Sequence, residues 1–464
     1  MTRKRAASPG RDERTRSAFS RRRALQFAGV GVAASLAGCS GGGTQDDEPD
    51  TNDADDSSGT DGSSNSSGTD EGGFDTDYLT ESPSSHLAPT DGFADASWLA
   101  GTSPEVVKVT SLDASGEGSL RWALTRPGTS IVVFEVGGVV DLDGETISTA
   151  GDLYVAGQTA PSPGITVVRG GIHVNGDNVI LQHLNVLPGD ELSAPIDSVG
   201  NHGGSNVVVD HCTVGWGTDE NLSTTAGADN PDITFTNNLV AECLRDSIHP
   251  KGAHSMGSLI NDRSKRVVLA GNLWAHNVGR HPRLKGGTSS VVANNVMYNF
   301  DRGTNLGGGV SDETTASIVG NYYRAGEITS ETDSVVGSTF TDASGGVRAY
   351  IAYNVTDPST MQIVSSGAQL TRVQNRPLWP DDLTTTGAED AYETVLAAVG
   401  ARPSDRTPYS ERILQDVRDR TGTPIDSQAD VGGYPDFETT ERALDVPDEG
   451  LAEWLHEFTV DVEG

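Results

Sequence analysis

"NVILQHLNV" at 178–186, "NVVVDHCTV" at 206–214, "DITFTNNLV" at 232–240, "RVVLAGNLW" at 266–274 and "SVVANNVMY" at 290–298 share one pattern, and "ASIVGNYY" (316–323) and "RAYIAYNV" (348–355) continue it. Each segment is short, alternating, rich in β-branched residues and bounded by Gly or Asn, which is the chemistry of strands joined by turns. An asparagine recurs near the end of the first strand of five units, at Asn238, Asn272, Asn295, Asn321 and Asn354. Side-chain amides placed alike in successive repeats can bond from one to the next and satisfy the polar groups of a buried bend. The spacing fits a coil of roughly two dozen residues with insertions in some turns. The sequence therefore predicts an all-β protein, a right-handed parallel β-helix. An ordinary sandwich would show two-residue hairpin signals between its strands, and these are scarce.

A solenoid exposes apolar coil edges at its two ends unless they are capped. "GSLRWALTR" (118–126) reads as a short amphipathic helix ahead of a first strand "IVVFEVGG", a suitable N-terminal plug. At the other end "AEDAYETVLAAVGA" and "YSERILQDVRDRTG" read as helices, with irregular chain expected from "VGGYPDFE" onward. The organisation expected is a signal over 1–39, an acidic tether over 40–85, the β-helix over 86–385, and a helical and irregular tail over 386–464 packed on it.

The signal resembles a twin-arginine export sequence joined to a lipoprotein box. It has paired arginines at Arg21 and Arg22, a short apolar run from Phe27 to Ala37, and Leu36, Ala37, Gly38 and Cys39. The run is too short to cross a bilayer as a helix. Cys39 would then be the lipidated first residue of an extracellular protein, held to the membrane through its lipid alone. The stretch after it is Gly, Ser, Thr, Asn and Asp with almost nothing apolar, so burial cannot offset its ordering entropy.

Asp plus Glu outnumber Lys plus Arg by 66 to 32, for a net charge of −34. A chain so acidic lacks the basic face that phosphate binding needs, which excludes nucleic acid as a partner, and it suits high salt, where repulsion is screened. A monomer is expected. Against that background "NVGRHPRLKGG" (277–287) crowds Arg280, His281, Arg283 and Lys285 around one proline.

"VTSLDASGEGSLRWAL", "AGQTAPSPGITV", "SNVVVDHCTVGWGTDENLS", "HPKGAHSMGSLI" and "AHNVGRHPRLKG" occur in that order over about residues 104 to 300. Together they resemble the pectate lyase family of polysaccharide lyases, here in a lipoprotein of haloarchaeal type. The resemblance implies cleavage of pectate by β-elimination, assisted by Ca²⁺ that neutralises the uronate carboxylate. It places Arg280 at the position of the base that removes the C5 proton, in an RxPxxR pattern whose last position is Lys285. It also implies Asp197 and Asp219 as calcium ligands, with Glu220 adjacent, and Lys251, His254, His281, Arg283 and Lys285 as substrate-binding residues. Two departures stand out: Ser223 occupies the position four after Asp219, and Asp197 has no second aspartate two residues away.

Other readings of the same residues remain. Eight of the ten histidines fall between 173 and 281, and His249 with His254 are possible zinc ligands, but no cysteine or carboxylate stands at short zinc spacing with them. Asp210 and His211 are expected to hold adjacent coils by hydrogen bonds, and Cys212 and Cys243 to be buried free thiols. A β-helical glycoside hydrolase would use paired carboxylates and water and would not need Arg280. A non-catalytic polysaccharide-binding β-helix is the third possibility.

Overall fold

The computed structural model describes residues 91–225, 231–338 and 345–464, so Cys39, the signal and the tether lie outside the described residues. Three sheets of eleven, nine and ten strands form the walls of a right-handed parallel β-helix, and beyond the first coil each strand pairs with the one three further along the chain. That order follows from a coil that gives one strand to each sheet and then repeats. All pairings are parallel except Thr440–Glu441 against Val136–Gly137.

Alternation in the strands sends one set of side chains inward. Val155, Leu181, Val209, Phe235, Leu269, Val292 and Ile318 are register partners in turn, a single aliphatic column along the axis. Each is at most 1 % exposed. Coil stacking thus removes whole side chains from water, at roughly 25 cal/mol for each Å² of apolar surface.

The asparagine ladder forms the corner between two sheets. The backbone N–H of Asn238 donates to Asn272 Oδ1 at 2.9 Å, that of Asn272 to Asn295 at 2.8 Å, that of Asn295 to Asn321 at 3.1 Å and that of Asn321 to Asn354 at 3.0 Å. Each ladder residue from Asn238 on also donates through Nδ2 to a strand carbonyl, as Asn295 does to Leu269 at 2.9 Å. The residue before each rung turns the corner at positive φ: Asn237 at 52°, Gly271 at 67°, Asn294 at 54°, Gly320 at 69° and Tyr353 at 58°. Asn and Gly adopt that conformation at little cost, which is why four of the five corners read NN or GN in the sequence, the last being Tyr353–Asn354.

Two expectations need correction. The cap helix, Leu120–Leu124, does not precede the first strand; Glu105–Val109 comes before it and pairs with Ser130–Phe134. The lysine in "EVVKV" disguises a strand of which Val107 and Val109 alone are buried. The helix still plugs the end, since Leu120, Ala123 and Leu124 join the interior core. The tail after "VGGYPDFE" is also not irregular throughout: Leu451–Glu463 is a helix. It packs with Leu99 on Ile131, Tyr154, Ile180 and Val208, the outer face of the eleven-stranded sheet. The helices Ala388–Ala398 and Pro408–Asp419 cover Leu239, Leu273 and Val296 on the ten-stranded sheet. Two of the three sheets are therefore covered, and the nine-stranded sheet keeps an open face.

Candidate active site

On that open sheet, His173, Gly200, Ser223, Leu259, Arg283 and Asn305 are register partners from strand to strand. They form the floor of a groove along the axis, of about 460 Å³, whose walls are the turns carrying Asp197, Asp219, Lys251, Arg280 and Lys285. The parallel stack orders the groups by coil, with imidazoles toward the N-terminal end, carboxylates next, and cations beyond.

Asp197 lies half-buried. Its Oδ1 accepts from the backbone N–H of Glu220 at 2.8 Å and its Oδ2 from the Ser223 hydroxyl. Burial, offset in part by the Ser223 hydrogen bond and reinforced by the negative charge of Asp219, pushes its carboxyl up to about 7. Asp219 is more exposed, and its Oδ1 sits 3.0 Å from His254 Nε2 and 3.5 Å from His249 Nε2. The contact with His254 lowers its pKa first, so it titrates well below its neighbour Asp197.

The two imidazoles of His249 and His254 stack, centroids 3.9 Å apart. His249 Nδ1 accepts from the Lys251 backbone N–H at 3.2 Å, which leaves the proton on Nε2, pointing at Asp219. The fold thus brings to both histidines a carboxylate that sequence spacing did not reveal. Both Nε2 atoms face that carboxylate, and a zinc ion on His249 Nε2 would have to break the Lys251 contact at Nδ1.

Carboxylate oxygens of Asp197, Asp219 and Glu220 come within 4.8 Å of one another. An all-oxygen donor set of this kind suits a hard cation such as Ca²⁺. Asp197 and Asp219 fit that group. Glu220 belongs to the same group and is also ion-paired with the Arg280 guanidinium.

Arg280 sits at φ 65°, immediately after Gly279. Its side chain is 17 % exposed, and burial first, then the charge of Arg283, lowers its pKa to about 10. Of the cationic and imidazole side chains on its own turn, Arg283 is the one that contributes. Lys285 bonds Asp262 at 2.6 Å and Asn261 at 2.7 Å, at the groove's wall. Arg283 points from the floor and Lys251 is exposed on the wall.

His281 is a correction. It is fully buried, with Nδ1 on the Arg302 carbonyl at 2.8 Å and its ring against Phe300, so it packs the turn and does not reach the groove. His254, also expected at the substrate, faces Asp219. Sequence reasoning passed over His173 and His202, which line the groove with rings 3.8 Å apart. The available signal was their place, on the floor strand Ile172–Val174 and in the turn just after Val199–Asn201. Burial, then the neighbouring His202, lowers His173 to about 4.

Outside the groove, Asp210 accepts from Gln182, Thr236 and Asn237 on the coils to either side and is bonded to its chain neighbour His211. Cys212 and Cys243 are buried and unbonded to each other.

A right-handed parallel β-helix with acidic and basic side chains ranked along one open groove has the build of a protein that handles an extended acidic polysaccharide. No family model matches the chain. Among curated proteins it is similar to "Probable pectate lyase C" of Aspergillus flavus, 31 % identical over 373 residues covering 78 % of this chain and 84 % of the relative. The same-named protein of Neosartorya fischeri is 32 % identical over 375 residues, 78 % and 84 % covered. Among solved structures, "Pectate lyase bound to hexasaccharide" superposes with a TM-score of 0.50 at 16 % identity, over 69 % of this chain and 99 % of that one. The chain belongs to the pectate lyase family and is an enzyme of that family.

Proposed function

We propose that the protein cleaves pectate by β-elimination, releasing 4,5-unsaturated oligogalacturonates. The observation that carries this is the meeting on one groove of two carboxylates free of strong cation pairing, Asp197 and Asp219, with Lys251, Arg280, Arg283 and Lys285 just beyond them. Ca²⁺, held by Asp197 and Asp219, would neutralise the uronate carboxylate and make its C5 proton more acidic. Arg283 and Lys251 bind the polymer's carboxylates, Arg283 with a planar fork and Lys251 as a point charge. Arg280 takes the C5 proton, and the electron pair left at C5 expels the glycosidic oxygen at C4.

A guanidinium is a base only in its deprotonated fraction, and each unit of pKa depression raises that fraction tenfold. Burial and Arg283 act in that direction, whereas the Glu220 carboxylate opposes it. Glu220 therefore has to release Arg280 before the proton moves. The site is exported and membrane-anchored through Cys39 in this reading, acts as a monomer, and meets its polymer outside the cell.

A hydrolytic reading has one observation in its favour: Asp197 and Asp219 have pKa values pushed apart, as a general acid and its partner require. The two reactions differ in product. Digestion of polygalacturonate with and without chelator, followed by ultraviolet absorbance and mass spectrometry, is expected to give calcium-dependent unsaturated ends. Products heavier by one water and lacking the double bond would establish hydrolysis instead.

A further inference from the structure

The groove is chemically lopsided. Its cations, Lys251, Arg280, Arg283 and Lys285, lie on the C-terminal side of Asp197 and Asp219, while Pro195, Ile196, His173 and His202 line the other side, which holds no Lys or Arg among the described lining residues. His173 and His202 lie face to face, centroids 3.8 Å apart and planes 27° from parallel. Gly200 makes this possible, because a Cβ there would fall 2.8 Å from His202 Nε2 and 3.2 Å from Asp197 Oδ2. The His202 ring therefore lies on the floor between His173 and Asp197.

Two imidazolium rings stacked so closely would repel, so the pair carries at most one charge. His173 Nε2 is buried with no hydrogen-bond partner among the described residues. A uronate carboxylate placed here would lose its strong hydration and find no Lys or Arg to pair with. A neutral methyl ester has less hydration to lose: its methyl group packs on an imidazole face and Ile196, and its carbonyl oxygen accepts from an imidazole N–H.

We infer that His173 and His202 form a subsite for a methyl-esterified uronate unit, so the groove tolerates an ester on one side of the scissile bond and requires free carboxylates on the other. This rests on the lyase reading, and the substrates chosen separate the two.

The test uses hexagalacturonates carrying a single methyl ester at a known position, with the unesterified hexamer as reference. Initial rates and the bond cleaved are read by mass spectrometry at fixed calcium. An ester on one side is expected to slow cleavage less than about threefold and on the other more than about thirtyfold, the latter reflecting a lost carboxylate pairing with Arg or Lys. His173→Arg, checked for its β-sheet circular dichroism, is expected to slow the tolerated ester about tenfold relative to the free acid, since a cation now favours charge. Rejection on both sides, tolerance on both sides, or unaltered tolerance in the folded variant would overturn the subsite while leaving the lyase. Failure to cleave even the free hexamer would overturn both.

Discussion

Ser223 stands where a further carboxylate would complete an acidic cluster, on the groove floor with its hydroxyl donating to Asp197. Ser223→Asp therefore asks whether Asp197 and Asp219 are the cation site. Two ionised carboxylates about 4 Å apart repel by about 4 kcal/mol at an effective dielectric near 20. Most of that penalty is avoided without a cation, because Asp197 already takes up a proton near pH 7. The expected stability loss in chelator is therefore modest, about 1–2 kcal/mol. A divalent cation replaces that proton and binds one more anionic oxygen, and the calcium dissociation constant is expected to fall about 10- to 100-fold, or 1.4 to 2.8 kcal/mol. Isothermal titration of calcium into wild type and variant measures this directly, with urea unfolding in chelator for the stability arm. Unchanged or weaker calcium binding by a folded Ser223→Asp protein would refute the assignment of the site to Asp197 and its neighbours.

Arg280→Lys keeps the charge facing Glu220 but not the guanidinium geometry, and turnover is expected to fall by about 10²- to 10⁴-fold with polymer binding changed only a few fold; retention of more than about a tenth would remove Arg280 as the base. His254→Gln loses the 3.0 Å contact that holds Asp219, and direct calcium titration is expected to show affinity weakened about threefold to tenfold, the worth of one charge-assisted hydrogen bond. Asn295→Ala leaves the backbone N–H of Asn272 and the Leu269 carbonyl without their partners inside the corner, and urea denaturation is expected to show a loss of about 2–4 kcal/mol. His211, buried beside Asp210 and Glu463, has a pKa raised to about 9 by those two charges against a larger desolvation that lowers it. Its stabilisation is full below its unfolded value of about 6.5 and is lost as pH rises through about 9, so unfolding free energy is expected to drop over that window by up to about 3 kcal/mol, and to stay flat in His211→Gln.

Periodicity made the β-helix readable, because the same corner is built again and again and each copy needs its αL residue followed by Asn. Glu105–Val109 escaped because an edge strand buries one face only, and Leu451–Glu463 because Pro447 and Gly450 just ahead of it masked a period visible in Leu451, Leu455, Phe458 and Val462. In the groove, the residues on one turn could be read together: Arg280, Arg283 and Lys285 do line the same groove. What could not be read was pairing across coils, since Glu220 meets Arg280 and His254 meets Asp219 only through stacking. His281 has the same parity as the outward Arg283, and strand alternation alone would aim it at solvent. His281 lies ahead of the strand Arg283–Leu284, in the turn entered through the positive φ at Arg280, so that alternation does not govern it.

The corner asparagines are interchangeable parts, which separates scaffold from chemistry. Asn272 and Asn295 are 23 residues apart, and each receives the same bond from the rung before it and gives the same bond to the rung after. Excising the intervening segment would let Asn295 dock directly beneath Asn238 and leave an uninterrupted ladder. That excision takes away Arg280, Arg283 and Lys285 as a set, with His276 and His281, while leaving Asp197, Asp219, His173, His202, His249 and His254 in place. The loop proposed to carry the base thus occupies a cassette, one that a β-helix can gain, lose or duplicate without redesigning its walls.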